Sequence, residues 1–239
     1  MSRYVLITRH PAECAELQER LAACGLTVRP YPVLRIADVE DDPGWRALEP
    51  ERGLDGAWLV VTSPRAPARL ARQCRERNVQ HLLELPTAAI GPGTAEAAAA
   101  AGLAVALVGP GTGNGLARQL VERSDGPTTF ILACGHHRRP ELPRALEAAG
   151  HRVLPVVVYR MDPTPPRELP PLGPSLEAVV LTSPRAAELY LRSVGGLPLP
   201  CQHWALGPTT QQAAATLGIQ CNTPGEPTME SLAEELCTI

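Results

Sequence analysis

The sequence predicts an α/β protein made of two similar halves, and three observations support this prediction. Short apolar runs alternate along the chain with longer amphipathic runs. Continuous apolar runs are typical of strands covered on both faces of a parallel sheet, and the amphipathic runs between them predict helices. Glycines follow the amphipathic runs at the position of a left-handed C-cap. The apolar runs are 4–7, 58–61, 88–90, 130–133, 153–159, 178–181 and 204–206, and the glycines are Gly25, Gly102, Gly150 and Gly218.

The third observation is an internal repeat. Residues 62–66 have the sequence Thr-Ser-Pro-Arg-Ala, which recurs unchanged at 182–186. Further blocks match in the same order, so chance agreement is a poor explanation and two related lobes are expected. These further pairs are 90–94 with 206–210, 113–117 with 229–233, and 5–8 with 130–133.

The repeat leaves two domain arrangements open. One is an inserted domain, residues 39–155, within a discontinuous domain of residues 1–35 and 160–239, with residues 33–38 and 156–162 carrying the chain between them. The proline-rich stretch 161–175 fits an exposed linker in this arrangement. A plain tandem of the two halves fits the repeat equally well.

Composition excludes several classes of function. A formal net charge of -3 and an aromatic content of 3% argue against nucleic-acid binding, and no apolar run is long enough to predict a signal peptide or a membrane span. The 22 basic residues are all arginine, which excludes Schiff-base chemistry on lysine. The seven cysteines are odd in number and include no Cys-x-x-Cys pair, which predicts reduced, mostly buried thiols in a cytoplasmic protein.

The repeated motifs predict anion sites at strand-to-helix turns. Ser63 and Ser183 are good N-cap residues and each precedes a proline, while Thr94 and Thr210 follow Gly-Pro turns in the same way. The free N–H groups and the dipole at a helix start favour a negatively charged ligand. A purely structural role as caps is the alternative for all four residues.

Two arginines strengthen the prediction of an anionic ligand. Arg65 and Arg185 follow the repeated Ser-Pro pairs, where a cation in the first helical turn opposes the dipole unless an anion lies nearby. The alternative is a pair of solvated arginines in a chain rich in them. With both arginines at equivalent positions, the sequence indicates a small polyanion shared by the two halves.

Other candidate residues also follow strands. Arg9 ends the first strand, and the basic cluster His136 to Arg139 follows the run 130–133. Adjacent histidines do not converge on a metal, so we expect an anion-facing loop and no metal site. Tyr159 ends a strongly apolar strand, where core packing is the ordinary role of a tyrosine. These residues alone do not identify a mechanism.

At this point the motifs resemble those of the uroporphyrinogen-III synthase family, in order and over nearly the whole chain. The resemblance lies in the opening strand and turn, the two Thr-Ser-Pro motifs, the two Gly-Pro turns, the tyrosine-containing strand and the start of the final helix. These segments are 5–9, 61–64, 181–184, 90–95, 206–210, 158–160 and 227–232. The loop 134–139 departs from the family, which usually has a turn rich in Gly, Arg and Glu there.

The resemblance implies two flavodoxin-like parallel-sheet lobes joined by a two-stranded linker, with the active site in a cleft. It implies that hydroxymethylbilane, a linear tetrapyrrole with eight carboxylates, is closed to uroporphyrinogen III. Water is lost, and the last pyrrole ring is inverted through a spiro intermediate. It also implies a cytoplasmic monomer that needs no cofactor or metal and has neither a nucleic-acid nor a membrane partner. A two-lobed polyanion-binding protein and an inactive synthase paralogue are the alternatives.

Within that resemblance, Tyr159 is the candidate catalytic residue, because a phenol can protonate or orient the leaving hydroxyl. The candidate substrate-binding residues lie at the strand ends of both halves. They are Arg9, Ser63, Arg65, Thr94, Gly135, His136, Ser183, Arg185, Thr209, Thr210 and Thr228.

Overall fold

The computed structural model describes residues 3–48 and 54–239 and has the predicted α/β architecture. The strands are β1 Tyr4–Ile7, β2 Thr27–Pro30, β3 Leu34–Asp38, β4 Trp58–Val61, β5 Thr87–Ala89, β6 Val105–Val108, β7 Thr129–Gly135, β8 Arg152–Pro163, β9 Leu176–Leu181 and β10 Gln202–Ala205. The α-helices are α1 Ala15–Ala22, α2 Pro67–Glu76, α3 Pro92–Ala100, α4 Gly113–Glu122, α5 Glu141–Ala148, α6 Pro184–Ser193, α7 Pro208–Thr216 and α8 Met229–Leu236.

The described residues form two compact units. Unit 1 contains the residues up to Arg35 together with Asp162–Ile239, and unit 2 contains Ile36–Met161. The chain therefore passes from one unit to the other within β3 and again within β8. Residues 1–2 and 49–53 of the expected domain ranges lie outside the described residues.

Unit 1 is built on a four-stranded sheet in the order β10-β9-β1-β2, in which every neighbouring pair is parallel. The side chains of successive β1 residues lie on opposite faces of this sheet, as the strand geometry requires. Val5 packs with Leu17 and Leu232, from α1 and α8, and Leu6 packs with Tyr190 from α6. Helices thus cover both faces, which explains why the strand residues form a continuous apolar run.

Unit 2 is built on a six-stranded sheet in the order β3-β8-β7-β4-β5-β6. The pairs β8–β7, β7–β4, β4–β5 and β5–β6 run parallel. One face packs in the Leu70 cluster, which includes Leu59, Val61, Leu70 and Val156, and the other packs in the Leu116 cluster, which includes Val60, Leu116, Leu142 and Val157.

The helix boundaries confirm some of the predicted caps and correct others. Gly25, Gly102, Gly150 and Gly218 all have positive φ angles, as the left-handed ends of helices require. Ser183 caps α6, accepting a hydrogen bond from the Ala186 N–H at 3.1 Å. Among the described residues, no helix is long and apolar enough to cross a membrane.

The predicted caps Ser63, Thr94 and Thr210 are wrong. Helix α2 begins at Pro67, and the Ser63 hydroxyl accepts from the Arg65 N–H at 3.3 Å within the preceding turn, so Arg65 lies before the helix. Helices α3 and α7 begin three residues earlier than predicted, because a proline takes their first position and a glycine takes the N-cap. Thr94 and Thr210 therefore lie in the first helical turn, where both side chains are buried.

The prediction that all cysteines are reduced is also wrong, since Cys24 and Cys237 form a disulfide with a Cα–Cα distance of 5.6 Å. These residues follow α1 and α8, two helices that pack together in unit 1. The other cysteines are free, and Cys14, Cys74 and Cys134 are buried as predicted.

A buried tyrosine–histidine pair lies in the core of unit 1. Nδ1 of His203 lies 3.1 Å from the Cys201 carbonyl, to which it can only donate, so Nε2 accepts from the Tyr190 hydroxyl at 2.8 Å. This arrangement suits a neutral imidazole. Burial lowers the pKa of His203 from its ordinary value, and the hydrogen bond to Cys201 opposes that effect.

This pair predicts a loss of stability in mild acid. Below about pH 6.5 the unfolded chain binds a proton at His203 that the folded chain does not, so the free energy of unfolding should fall. The slope for this one residue cannot exceed about 1.4 kcal/mol per pH unit. Urea unfolding measured at several pH values should show a smaller slope for His203→Gln, whereas a change of the exposed His81 to Gln should leave the slope intact. An equal slope in the wild type and His203→Gln would contradict this assignment.

Candidate active site

Unit 2 contains a cavity of about 790 Å³ at the carboxyl ends of its strands. This volume lies in the range of small-molecule sites, and the position is the one where ligands bind in open α/β sheets. Turns after β4, β5, β6 and β7 contribute to the lining, and so does the side of β8. The lining residues are Thr62, Ser63, Pro64, Ile90, Thr94, Gly111, Thr112, Gly113, Asn114, Leu132, Gly135, His137, Arg138, Arg139, Glu141, Leu142, Pro143 and Tyr159.

The first turns of α3, α4 and α5 all contribute residues to this lining. Helix α4 is capped by Thr112, whose hydroxyl accepts from the Gly115 N–H at 3.3 Å. Helices α3 and α5 have no side-chain hydrogen bond at their N-caps. A helix start leaves N–H groups without partners in the helix, and the dipole makes the region favourable for anions. These helix starts are therefore suited to carboxylates, and Glu141 in the first turn of α5 is the acidic residue of the lining.

Tyr159 lies on the cavity and is held against Gly135. Its side chain is 9% exposed, and its ring occupies the space where a side chain at position 135 would lie. A Cβ at that position would be 2.7 Å from Cζ of the tyrosine ring. The carbonyl of Tyr159 accepts a hydrogen bond from the His136 N–H at 2.9 Å. Gly135 is thus needed for the close approach of the ring, and this links two residues that the sequence analysis had selected separately.

Two largely buried residues on the cavity have hydroxyl groups without a protein partner among the described residues. Thr94 is 5% exposed and Tyr159 is 9% exposed, and neither hydroxyl forms a hydrogen bond with any residue of the described ranges. A hydroxyl that has no protein partner and opens onto a cavity is free to bond a polar ligand or water. Thr94 and Tyr159 are the strongest indication in unit 2 that the cavity binds polar groups.

The loop after β7 adds positive charge to the cavity. His137, Arg138 and Arg139 line it, and within the described part of the chain neither arginine forms an ion pair with a carboxylate. Burial raises the pKa of the neighbouring Cys134 thiol to about 11, and the Arg138 charge only partly offsets this effect. Cys134 is therefore a neutral thiol at physiological pH, and the charge that faces the cavity comes from the loop.

Several predicted site residues are placed differently from expectation. His136 is exposed and contacts the His137 ring edge to face, but His137 lines the cavity and His136 does not. Arg65 does not line the cavity either, and its carbonyl accepts from the Arg69 guanidinium at 2.9 Å. Ser63, Thr94, Gly135 and Tyr159 are the predicted residues that the cavity brings together.

The predicted residues of unit 1 follow its own strands. Arg9 is half-buried just after β1, and Arg185 occupies the first turn of α6 behind the Ser183 cap. Thr209 and Thr210 belong to the first turn of α7. Thr228 caps α8 and accepts from the Ser231 N–H at 3.1 Å. Substrate binding by these residues stays a prediction.

Sequence reasoning missed two features of these strand ends. Thr112–Asn114 lines the cavity, although its glycine-rich turn matches no nucleotide-binding motif. Applying the strand-to-helix rule to β6 as well as to β4 and β5 would have found it. In unit 1, Thr8 and Thr182 join the ends of β1 and β9, since the Thr182 N–H donates to the Thr8 hydroxyl and the Thr182 hydroxyl donates to the Thr8 carbonyl.

The contact between Gly135 and Tyr159 predicts the effect of a small substitution. Gly135→Ala should displace the ring or the strand and lower the free energy of unfolding by about 1–3 kcal/mol, as overpacking usually does. Gly126→Ala is the matched control, because a Cβ at Gly126 meets nothing within 4 Å. Denaturant unfolding of both variants checks this. Equal stability of the two would show that the Tyr159 ring can move aside without a measurable loss of stability.

Comparisons with known proteins agree with this architecture. The family model described as "Uroporphyrinogen-III synthase HemD" matches residues 15–234. A Methanothermobacter thermautotrophicus protein provisionally named uroporphyrinogen-III synthase is 29% identical in an alignment of 245 residues that covers 96% of each chain. A Helicobacter pylori uroporphyrinogen-III synthetase structure has a TM-score of 0.66 at 17% identity, covering 100% of this chain and 99% of its own. A mutant Thermus thermophilus uroporphyrinogen III synthase has a TM-score of 0.57 at 19% identity, covering 98% and 97%. Because the family model spans most of its residues, the chain belongs to the uroporphyrinogen-III synthase family.

Proposed function

We propose that this protein is an active uroporphyrinogen-III synthase, which cyclises hydroxymethylbilane to uroporphyrinogen III with loss of water. Family membership supports the substrate class, and the cavity of unit 2 supports activity. The observation that carries the proposal is the pair of Thr94 and Tyr159 hydroxyls without partners in the described part of the chain, on a cavity that is also lined by three helix starts and by Arg138 and Arg139.

Carboxylate binding follows from the composition of the cavity wall. The substrate has eight carboxylates, and the starts of α3, α4 and α5 offer backbone N–H groups to such anions. Arg138 and Arg139 add charge-assisted hydrogen bonds, which are stronger than neutral ones. The hydroxyls of Ser63 and Thr94 also line the cavity, so hydrogen-bond donors face it from several directions. We propose that part of the tetrapyrrole is held by these groups.

Tyr159 is the proposed acid for the first chemical step. Departure of the terminal hydroxyl leaves a cationic azafulvene, and a proton donated from the phenol lets that hydroxyl leave as neutral water. Tyr159 lines the cavity, is 9% exposed as a residue, and has a hydroxyl without a protein partner among the described residues. Ring closure later releases one proton, which can restore the phenol. The oxidation state does not change, so we propose that no redox cofactor takes part.

The second task is to direct the closure. The cation attacks an already substituted carbon of the last pyrrole, and the spiro intermediate rearranges with that ring inverted. A wall that fixes several carboxylates determines which carbon lies nearest the cation, and such orientation can supply a large part of a rate enhancement. We therefore propose that substrate positioning contributes more than any single catalytic group.

The test is the isomer that the purified protein makes from hydroxymethylbilane. The product is oxidised to uroporphyrin and the isomers are separated by chromatography, with a protein-free reaction as the control. We expect the asymmetric isomer III to form faster than the spontaneous symmetric product. Only the symmetric isomer, at the spontaneous rate, would reject the proposal and favour a non-catalytic polyanion-binding protein or an inactive paralogue.

The role of Tyr159 predicts that Tyr159→Phe lowers turnover by about 100-fold, the lower part of the usual effect of a general acid. The ring remains, so its packing on Gly135 and the KM should change little. Tyr4→Phe is the matched control, because the Tyr4 hydroxyl bonds to Gly173 at the start of β1, away from the strand ends. Steady-state rates of isomer III formation test this, and wild-type turnover in Tyr159→Phe would remove the residue from the mechanism.

The basic loop predicts a change in substrate affinity. Arg138→Gln and Arg139→Gln should each raise KM about two- to tenfold with little change in turnover, because both arginines are exposed and their ion pairs are screened by water. The difference from the wild type should shrink as salt is added. Arg144→Gln on α5 is the control, since Arg144 is equally exposed but does not line the cavity. Equal KM values in all three variants would exclude the loop from binding.

A further inference from the structure

Strand β8 contains a bulge directly before Tyr159. Cys134 pairs with Val157 and Gly135 pairs with Tyr159, so Val158 is an extra residue opposite the β7 ladder. Bulges of this kind redirect the side chains that follow them and occur often beside active sites. In β8 the redirected side chain is that of Tyr159.

The packing of β8 shows the change of face. Val156 and Val158 belong to the Leu70 cluster and Val157 belongs to the Leu116 cluster, as strict alternation requires. Continued alternation would place Tyr159 with Val157. Instead Tyr159 joins the Leu70 cluster, on the same face as Val158. The bulge has therefore moved the tyrosine from one face of the sheet to the other.

Gln73 on α2 donates a hydrogen bond to the backbone carbonyl of the bulge residue Val158. Its Nε2 donates to the Val158 carbonyl at 3.4 Å and to the Val39 carbonyl at 3.0 Å, while the Val39 N–H donates to the same Val158 carbonyl at 3.3 Å. Gln73 is 1% exposed, and its Oε1 has no hydrogen-bond partner. A buried amide that is only half satisfied costs stability, so its presence needs a reason other than packing.

The helix that carries Gln73 is itself fixed in place. Arg69 and Arg72 bind the two carboxylate oxygens of Asp38, at 2.8 Å and 2.9 Å, next to Val39. Arg69 also donates to the Arg65 carbonyl in the turn that follows β4. These contacts hold α2 between that turn and the segment that Gln73 bonds, so the Gln73 amide is presented to the bulge in a defined position.

We propose that Gln73 is a positioning residue, whose amide holds the carbonyl of the bulge residue Val158 and thereby keeps the Tyr159 hydroxyl directed into the cavity. This inference rests on the proposed function, because it assigns to Gln73 a contribution to turnover that passes through Tyr159. Gln73 itself does not line the cavity and contacts no reacting atom.

A double-mutant cycle tests the proposal in the intact protein. Gln73→Met keeps the length of the side chain and removes both donors, and a small displacement of a catalytic group commonly lowers turnover by about 10- to 100-fold. In a Tyr159→Phe background the same change should lower turnover less than about twofold, because the group that it displaces is already absent. Gln119→Met on α4 is the matched control, since Gln119 is a partly buried glutamine of unit 2 whose Oε1 is also unpaired and which does not line the cavity.

Gln73→Glu gives a second measurement in case Gln73→Met folds poorly. The introduced carboxyl has the same size but donates no hydrogen bond when ionised, and burial raises the pKa of a carboxyl. Its turnover relative to the wild type should therefore recover as the pH is lowered and the carboxyl gains a proton.

The outcomes separate this inference from the proposed function. A wild type that forms only the symmetric isomer rejects the function. If the wild type is active and Gln73→Met lowers turnover by the same factor in the wild-type and the Tyr159→Phe background, the positioning role is overturned. A Gln73→Glu protein whose turnover keeps a constant ratio to the wild type at every pH overturns it too. Wild-type turnover in Tyr159→Phe also overturns the positioning role, because Gln73 would then have no catalytic group to act through.

Discussion

The pairing of β7 with β8 is the constraint on which the cavity of unit 2 depends, because these neighbouring strands bring Gly135 and Tyr159 together. Parallel strands end at one edge of a sheet, so the parallel topology alone brings the turns after β4, β5, β6 and β7 together there. The tyrosine reaches this edge only because one extra residue in β8 reverses its face. A glycine opposite then leaves room for the ring. The position of the Tyr159 hydroxyl is thus determined first by the geometry of the backbone.

The electrostatics of the cavity follow from the same arrangement. Each strand-to-helix turn ends at a helix start, so N–H groups accumulate where the strands end. The cavity needs few side-chain cations as a result, and the arginines in its lining come from one loop after β7. Those arginines are exposed, so water screens their charge and weakens their hold on an anion. Thr94 and Tyr159 are buried in the wall, which suits groups that must keep one orientation.

Alternating apolar and amphipathic runs were sufficient to predict the α/β architecture, because burial on both faces of a sheet leaves a pattern in the sequence. The strand-to-helix motifs selected Ser63 and Thr94, and the family resemblance selected Gly135 and the role of Tyr159; all four residues line the cavity. Sequence reasoning placed the starts of α2, α3 and α7 wrongly, since a proline can occupy the first helical position behind an alanine or a glycine as well as behind a serine. It did not find the bulge at Val158 or the contact of Gln73. One extra residue in a strand leaves the apolar run of the sequence intact, so the bulge has no visible signal. The sequence around a buried glutamine on a helix also does not identify its distant hydrogen-bond partner.

The disulfide between Cys24 and Cys237 has a topological consequence. The bond closes a covalent ring that includes the whole of unit 2, because residues 36–161 lie between the two joined positions. A protease that cuts the backbone once inside this ring leaves both fragments attached to each other. The nicked protein would keep the mobility of one chain on a denaturing gel without reductant and separate into two bands only when reductant is added.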